Sequence, residues 1–356
     1  MPEDTADPRP PGRSLGKRRR RLVGIGLSAL VVGAVFVFVL PRIADYRDVW
    51  RVLQGLGWVD LAVLAVATAL NVLTFVPPWM VSLPGLGFRR SFVLSQASTA
   101  LSMVSPAGAA VGMAGSYSML RSWGFAAGPV ALAVAVTGVW NQLANLTFPV
   151  LALALLTGVD QDHPALRTAA LVGLGVLVVV LGAFALALSS RRRALQVGDV
   201  LGRLVTRVLG WFRRGPVGWG GEAFARFRAN ALGLLRRRWH VLTLATLAGH
   251  LTVYLLLLVC LRGVGVSESE VSWIEAFAAW SLIRILGAIP ITPGGIGIVE
   301  VGLSGALVAF GASNADAVAA TLLYRALAIL PTLGLGTLAA ATWRYHRPGK
   351  RVASRP

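Results

Sequence analysis

Ile291-Thr292-Pro293-Gly294-Gly295-Ile296-Gly297-Ile298-Val299-Glu300 interrupts a long apolar region, with Trp280 to Pro290 before it and Val301 to Phe310 after it. Proline lacks a backbone donor and clashes with the preceding turn, while glycine permits a tight reversal. The spacing predicts a helix that enters from Trp273, breaks over Pro290 to Pro293 and restarts near Gly297. In lipid, the backbone groups freed by such a break need partners. Broken backbone at membrane depth therefore belongs where it is buried in protein or lines a polar cavity. The carboxylate of Glu300 just past the break favours a cavity, and a Pro-Gly kink between two ordinary spans is the plain alternative.

The rest of the chain fits a bilayer. Of its 356 residues, 56% are hydrophobic and 14% charged, whereas soluble domains carry about 25% charged residues. Cys260 is the sole cysteine, so disulfides and cysteine metal sites are excluded. The histidines His163, His240, His250 and His346 lack ligand spacing, so no metal or cofactor is expected. A net charge of +19 raises nucleic acid as a partner. The charge is mostly arginine at the edges of apolar segments, however, which fits anionic phospholipid at the cytoplasmic leaflet and argues against nucleic acid.

Charge and hydropathy together give a topology. Residues 1–21 form a polar, basic tail ending in Lys17-Arg18-Arg19-Arg20-Arg21, and the apolar run Leu22 to Leu40 is long enough to span. Further spans are expected over Trp58 to Met80, Gly128 to Leu156, Arg167 to Leu188, His240 to Leu261 and Asp316 to Thr342. Ser91 to Arg121, broken at Ser105-Pro106-Ala107-Gly108, has basic flanks on both sides and should dip in and return. Residues 191–239 carry an arginine-rich connection, where Leu201, Leu204, Val205, Val208 and Phe212 recur opposite Arg203, Arg207 and Arg214. That spacing describes a basic amphipathic helix on the membrane surface, with a soluble cytoplasmic hairpin as the alternative. Placing every basic cluster inside puts both termini, including the basic tail 343–356, in the cytoplasm of a multi-pass plasma-membrane protein.

The two interrupted segments match. Pro106 and Pro293 stand 187 apart (293 − 106), and the same offset carries Gly108 onto Gly295 and Gly124 onto Gly311. An odd number of spans separates the hairpins, so the copies face opposite sides. The fold class expected is an all-α polytopic membrane protein: about six transmembrane helices plus two re-entrant broken-helix hairpins, arranged as an inverted repeat. The first repeat covers 22–190 and the second 240–342. Transporters built this way hold their site at mid-membrane between the halves.

An ionisable group inside an apolar segment costs on the order of 3 kcal/mol on insertion scales. Glu275, Arg284, Glu300 and Arg325, the last beside Tyr324, meet that criterion. They read either as an ion-pair network locking hairpin to span, or as a headgroup site in which Arg284 and Arg325 meet a phosphate. In the first hairpin, Pro106, Gly108 and their small neighbours suit close packing, and Met113 stands where the offset would put Glu300. Asn141 and Asn145 lie one turn apart and either face the same cavity or bond between helices. No nucleophile–base pair, P-loop or GxGxxG is found, so a non-enzymatic role is expected.

Pro293-Gly294-Gly295-Ile296-Gly297-Ile298-Val299-Glu300, followed by Gly311 and Leu323-Tyr324-Arg325, resembles the signature of the lysylphosphatidylglycerol synthase transmembrane (flippase-like) family. The resemblance runs from about Leu22 to Thr342. It implies a domain that moves an aminoacylated phospholipid between leaflets. The short tail to Pro356 points to a stand-alone member without the synthase domain. The expected function is translocation of a polar-headed lipid, aminoacylated, glycosylated or polyprenyl-linked. A subunit that anchors a cell-envelope biosynthesis enzyme through the arginine loop is a second reading, and a secondary transporter of a small solute a third. Membrane lipids are the partners expected, with an envelope enzyme and a second copy of the chain left open.

Overall fold

A computed structural model describes residues 45–105, 108–159, 164–211, 220–287 and 292–343. The expected first span Leu22 to Leu40, both tails, Pro106 and Pro290 lie outside these residues. Among the described residues all regular structure is helical. In chain order the helices are α1 (Tyr46–Gln54), α2 (Trp58–Thr74), α3 (Pro77–Ser82), α4 (Phe88–Val104), α5 (Gly108–Ser122) and α6 (Ala127–Val159). There follow α7 (Pro164–Ser189), α8 (Arg191–Trp211), α9 (Gly221–Gly263), α10 (Trp273–Gly287), α11 (Ile298–Phe310) and α12 (Asn314–Thr342). Among the described residues five stretches are long and apolar enough to cross a membrane: Trp58–Ser82, Ala127–Gly158, Thr168–Leu186, Gly221–Gly263 and Asn314–Thr342. α7 shows its surroundings most plainly, with Leu171, Val172, Val176, Val178 and Val179 all exposed. An apolar helix bare on this scale needs lipid around it.

α4 and α5 form one antiparallel pair, and α10 and α11 another. Small residues let the arms of each pair touch. A Cβ on Gly112 would meet Ser102 Oγ and stand 2.9 Å from Ser98 O, and one on Gly302 would stand 2.8 Å from Ile283. Both second arms end in the same cap. Phe125 N–H donates to Leu120 O at 3.3 Å, and Ala312 N–H donates to Leu307 O at 3.1 Å. Between donor and acceptor sit Gly124 and Gly311, with φ of +89° and +127°. This six-to-one bond with a left-handed glycine is a Schellman cap. Donor, acceptor and glycine all repeat at the offset of 187 read from the sequence, as do the starts of α6 and α12 (314 − 127).

α12 relates the two pairs in space. It starts just after Gly311, at the base of the α10–α11 pair, where a Gly311 Cβ would fall 2.6 Å from Glu270 O. At its far end Trp123 Nε1, at the base of the α4–α5 pair, donates to Trp343 O at 3.0 Å. The bases of the two pairs thus lie at opposite ends of a helix of 29 residues, about 43 Å at 1.5 Å per residue. Their tips meet between those ends, where Gly294 lies against the backbone of Met103. The main apolar core fills the space beneath the second pair, with Phe148, Phe277, Trp280, Leu256, Leu303 and Leu307 buried together.

The arginine-rich connection differs from a simple surface helix. α8 folds back along the start of α9: Gly198 lies against Gly221 and Phe224, and Asp199 accepts from Gly221 N–H at 2.7 Å. Val200, Leu201 and Leu204 of α8 remain exposed. α9 then continues for 43 residues through position 240 without a break. At about 65 Å it is twice the ~30 Å hydrocarbon thickness, so it enters the bilayer as a helix that has already begun outside. Arg236-Arg237-Arg238 lies within α9, and arginine is a good helix former that gives the chain no reason to stop there.

Candidate functional site

α10 ends at Gly287 and a 3-10 turn, Pro293–Gly295, carries the chain to α11. Gly294, Gly295 and Gly297 have φ of +63°, +66° and +91°, the left-handed region that a residue with a Cβ enters at a cost. The break therefore depends on those three glycines. It exposes the first N–H groups of α11, and Glu300, at the third position of that helix, satisfies one of them. Its Oε2 accepts from Gly297 N–H at 2.6 Å, one arm of a capping box. Its Oε1 accepts from Arg325 Nε at 2.7 Å, and Arg325 Nη2 donates to Gly294 O at 2.8 Å. Arg325 of α12 thus grips both the carboxylate and the freed carbonyl of the turn. Glu300 is 2% exposed. The acid and one base expected at this site are brought together as a latch between the second pair and α12.

Arg284 behaves differently. Its Nη2 donates to Asn145 Oδ1 at 2.8 Å and approaches His250 Nδ1 at 2.9 Å. Guanidinium only donates, so Nδ1 of His250 is the acceptor and its Nε2–H donates to Asn141 Oδ1 at 3.1 Å. Asn141 in turn donates through Nδ2 to Thr137 O at 2.9 Å. The Arg284 guanidinium lies over the Trp280 ring, 4.8 Å from its centroid. No carboxylate pairs with Arg284 among the described residues, and its Nε is buried without a partner. Glu275 accepts from Ser272 N–H at 2.8 Å at the start of α10, so it caps that helix and takes no part in a four-charge network.

These groups surround a cavity of about 350 Å³ where the two tips, α2, α6, α9 and α12 converge. Arg284, Gly294, Tyr324 and Arg325 line it; Glu300 sits behind Arg325. Asn145 lines it, whereas Asn141 stands one hydrogen bond back, behind His250. Gly108 lies apart, packed on Ser102 at the start of α5. Gly295 and Gly297 shape the turn. Asn71, Gln96, Thr99 and Thr332 also line the cavity, and none was singled out from the sequence. The signal for them, and for His250, was present: an amide or imidazole in an apolar span is costly for the same reason a charge is.

The fold and this cavity define a multi-pass helical membrane protein with a charged, partly polar chamber between two broken helix pairs. The profile of one family, the lysylphosphatidylglycerol synthase TM region, matches residues 23–336, and the chain belongs to that family. This places it among membrane proteins of lipid-related processes. No curated protein matches the chain.

Proposed function

We propose that this protein is a flippase of the plasma membrane and not an enzyme. It carries the polar headgroup of an anionic lipid through the cavity between the tips while the tails remain in the bilayer. The observation that carries this reading is the charge of the lining: among the described residues two guanidiniums face the cavity and no carboxylate does. Arg325 is held by Glu300, but Arg284 has only neutral partners. A half-buried cation in an apolar helix with no carboxylate partner calls for an anion from outside the chain, and guanidinium suits phosphate. The two halves form an inverted repeat on this reading, as the matched caps and opposed bases support. With Arg89, Arg90 and Arg121 on the cytoplasmic side, the lining runs along α12 from Tyr324 to Thr332 toward the cytoplasm.

The test is headgroup exchange in reconstituted vesicles that carry a fluorescent phosphatidylglycerol, read by quenching of the outer leaflet. The intact protein should make the inner-leaflet probe accessible, and Arg284→Gln should abolish that while leaving expression and folding intact. Exchange at the level of protein-free vesicles for the intact protein, or at the intact level for the variant, would count against the proposal.

A further inference from the structure

We infer that the ligand of this cavity is a phosphate ester whose remaining substituent is uncharged and rich in hydroxyls, glycerol-like or sugar-like, and does not carry an amine. The inference deepens the flippase reading and rests on it. A headgroup entering the cavity leaves water, so each of its polar groups must find a partner there. An aminoacyl ammonium would need a carboxylate. The nearby one is spent: Glu300 gives Oε1 to Arg325 and Oε2 to Gly297 N–H, its side chain is 3% exposed, and it does not line the cavity. The ammonium would instead face Arg284 and Arg325, a repulsion that selects against it.

What the lining leaves open suits a hydroxyl. Asn71, 7% exposed, has its Nδ2 without a partner. Gln96, 3% exposed, uses Nε2 on Val72 O at 3.3 Å and has its Oε1 without a partner. One is a donor, the other an acceptor, and a hydroxyl is the small neutral group that answers both. Arg284 Nε adds a charged donor for a phosphate oxygen. The volume of about 350 Å³ lies near the lower bound for ligand sites, enough for a headgroup and too little for acyl chains.

The experiment is native mass spectrometry of the full chain in mild detergent. It would be offered phosphatidylglycerol, its lysylated derivative with the same tails, or free glycerol 3-phosphate, and the two lipids would be run in parallel in the vesicle exchange assay. Phosphatidylglycerol should be retained at least about tenfold over the lysylated lipid, the ratio that a penalty of about 1.4 kcal/mol produces. Gln96→Leu and Asn71→Leu, read separately so that a folding failure in one leaves the other, should each lower that ratio. Thr332→Glu, which puts a carboxylate in the lining, should move it toward the lysylated lipid. Equal or reversed retention would overturn the inference while exchange of either lipid would leave the flippase standing. Retention of glycerol 3-phosphate alone would overturn the lipid source. No lipid retained and none exchanged would sink the flippase itself.

Discussion

Glu300→Gln takes one charge and one acceptor from the join between the α10–α11 pair and α12. The glutamine oxygen can still accept from Gly297 N–H, since that bond at 2.6 Å needs only an acceptor. Its NH₂ then points at Arg325 Nε, donor against donor, where the carboxylate stood at 2.7 Å. Breaking a buried ion pair on one side costs about 3–5 kcal/mol, because the other charge is left unpaired. Here the Arg325 side chain is 14% exposed and keeps Gly294 O, which puts the cost at the low end, about 3 kcal/mol. For a chain of this size a loss of 1 kcal/mol lowers the melting temperature by about 2 °C, so the variant should melt about 6 °C lower. Removing both partners, as Glu300→Gln with Arg325→Met, leaves no lone charge and should recover most of the loss. Thermal unfolding in detergent, followed by tryptophan fluorescence, closes the double-mutant cycle, with a coupling of about 2 kcal/mol expected. A single variant that melts with the wild type, or a cycle that is additive, would refute the latch.

Three further outcomes follow from contacts elsewhere. Gly112→Ala should cost about 1–3 kcal/mol in the same melting assay, because its Cβ meets Ser102 Oγ and the Ser98 carbonyl, whereas Gly305→Ala, with nothing within 4 Å, should be neutral or stabilising. Asp199→Ala, which strips the acceptor from Gly221 N–H, should cost about 1 kcal/mol and speed proteolysis between α8 and α9. Ser267 donates its N–H and its hydroxyl to Glu270, holding that exposed carboxyl below the ordinary 4.5. Because the folded value is the lower one, this support is present above the unfolded pKa and fades as pH falls through the folded value. Amide protection at Ser267, taken as a ratio to Glu270→Gln, should therefore fall toward unity in acid, and a flat ratio would contradict the bond.

How much of this was legible in sequence depends on whether the cause was local. The break at Pro293 and the three glycines is written in the residues that make it, and so is the offset of 187, since a Schellman cap needs its glycine in place. The partnership of Glu300 with Arg325 was open to inference because two opposite charges in lipid have few other ways to be tolerated. The pairing of Arg284 was not. Its partners Asn145 and His250 come from α6 and α9, and only packing brings neutral groups of distant helices together. For Gln96 and Asn71 the cost of an amide in an apolar helix was visible, but that they line one cavity was not, since α4 and α2 are brought together only by packing. The length of α9 was not legible from charge, because charge reports where a chain meets the membrane, whereas a helix ends only where capping or a breaker ends it.

The two cavity arginines, alike in sequence, have different work. Arg325 holds the turn itself: its Nε is committed to the Glu300 carboxylate that caps α11, and its Nη2 to the Gly294 carbonyl of the broken backbone. A phosphate reaching Arg325 would compete with those bonds and loosen the tip of the α10–α11 pair. Arg284 makes its bonds to side chains, a neutral imidazole and an amide, and leaves Nε free. A phosphate reaching Arg284 replaces weak neutral partners with a charged one and disturbs no backbone. On the flippase proposal, binding should therefore begin at Arg284, and contact with Arg325 is the step at which the headgroup would trade places with Glu300 or Gly294. In the proposed flippase, whose tips would part to pass a headgroup, that exchange would link ligand arrival to opening, because the guanidinium that holds the tip to α12 also attracts phosphate.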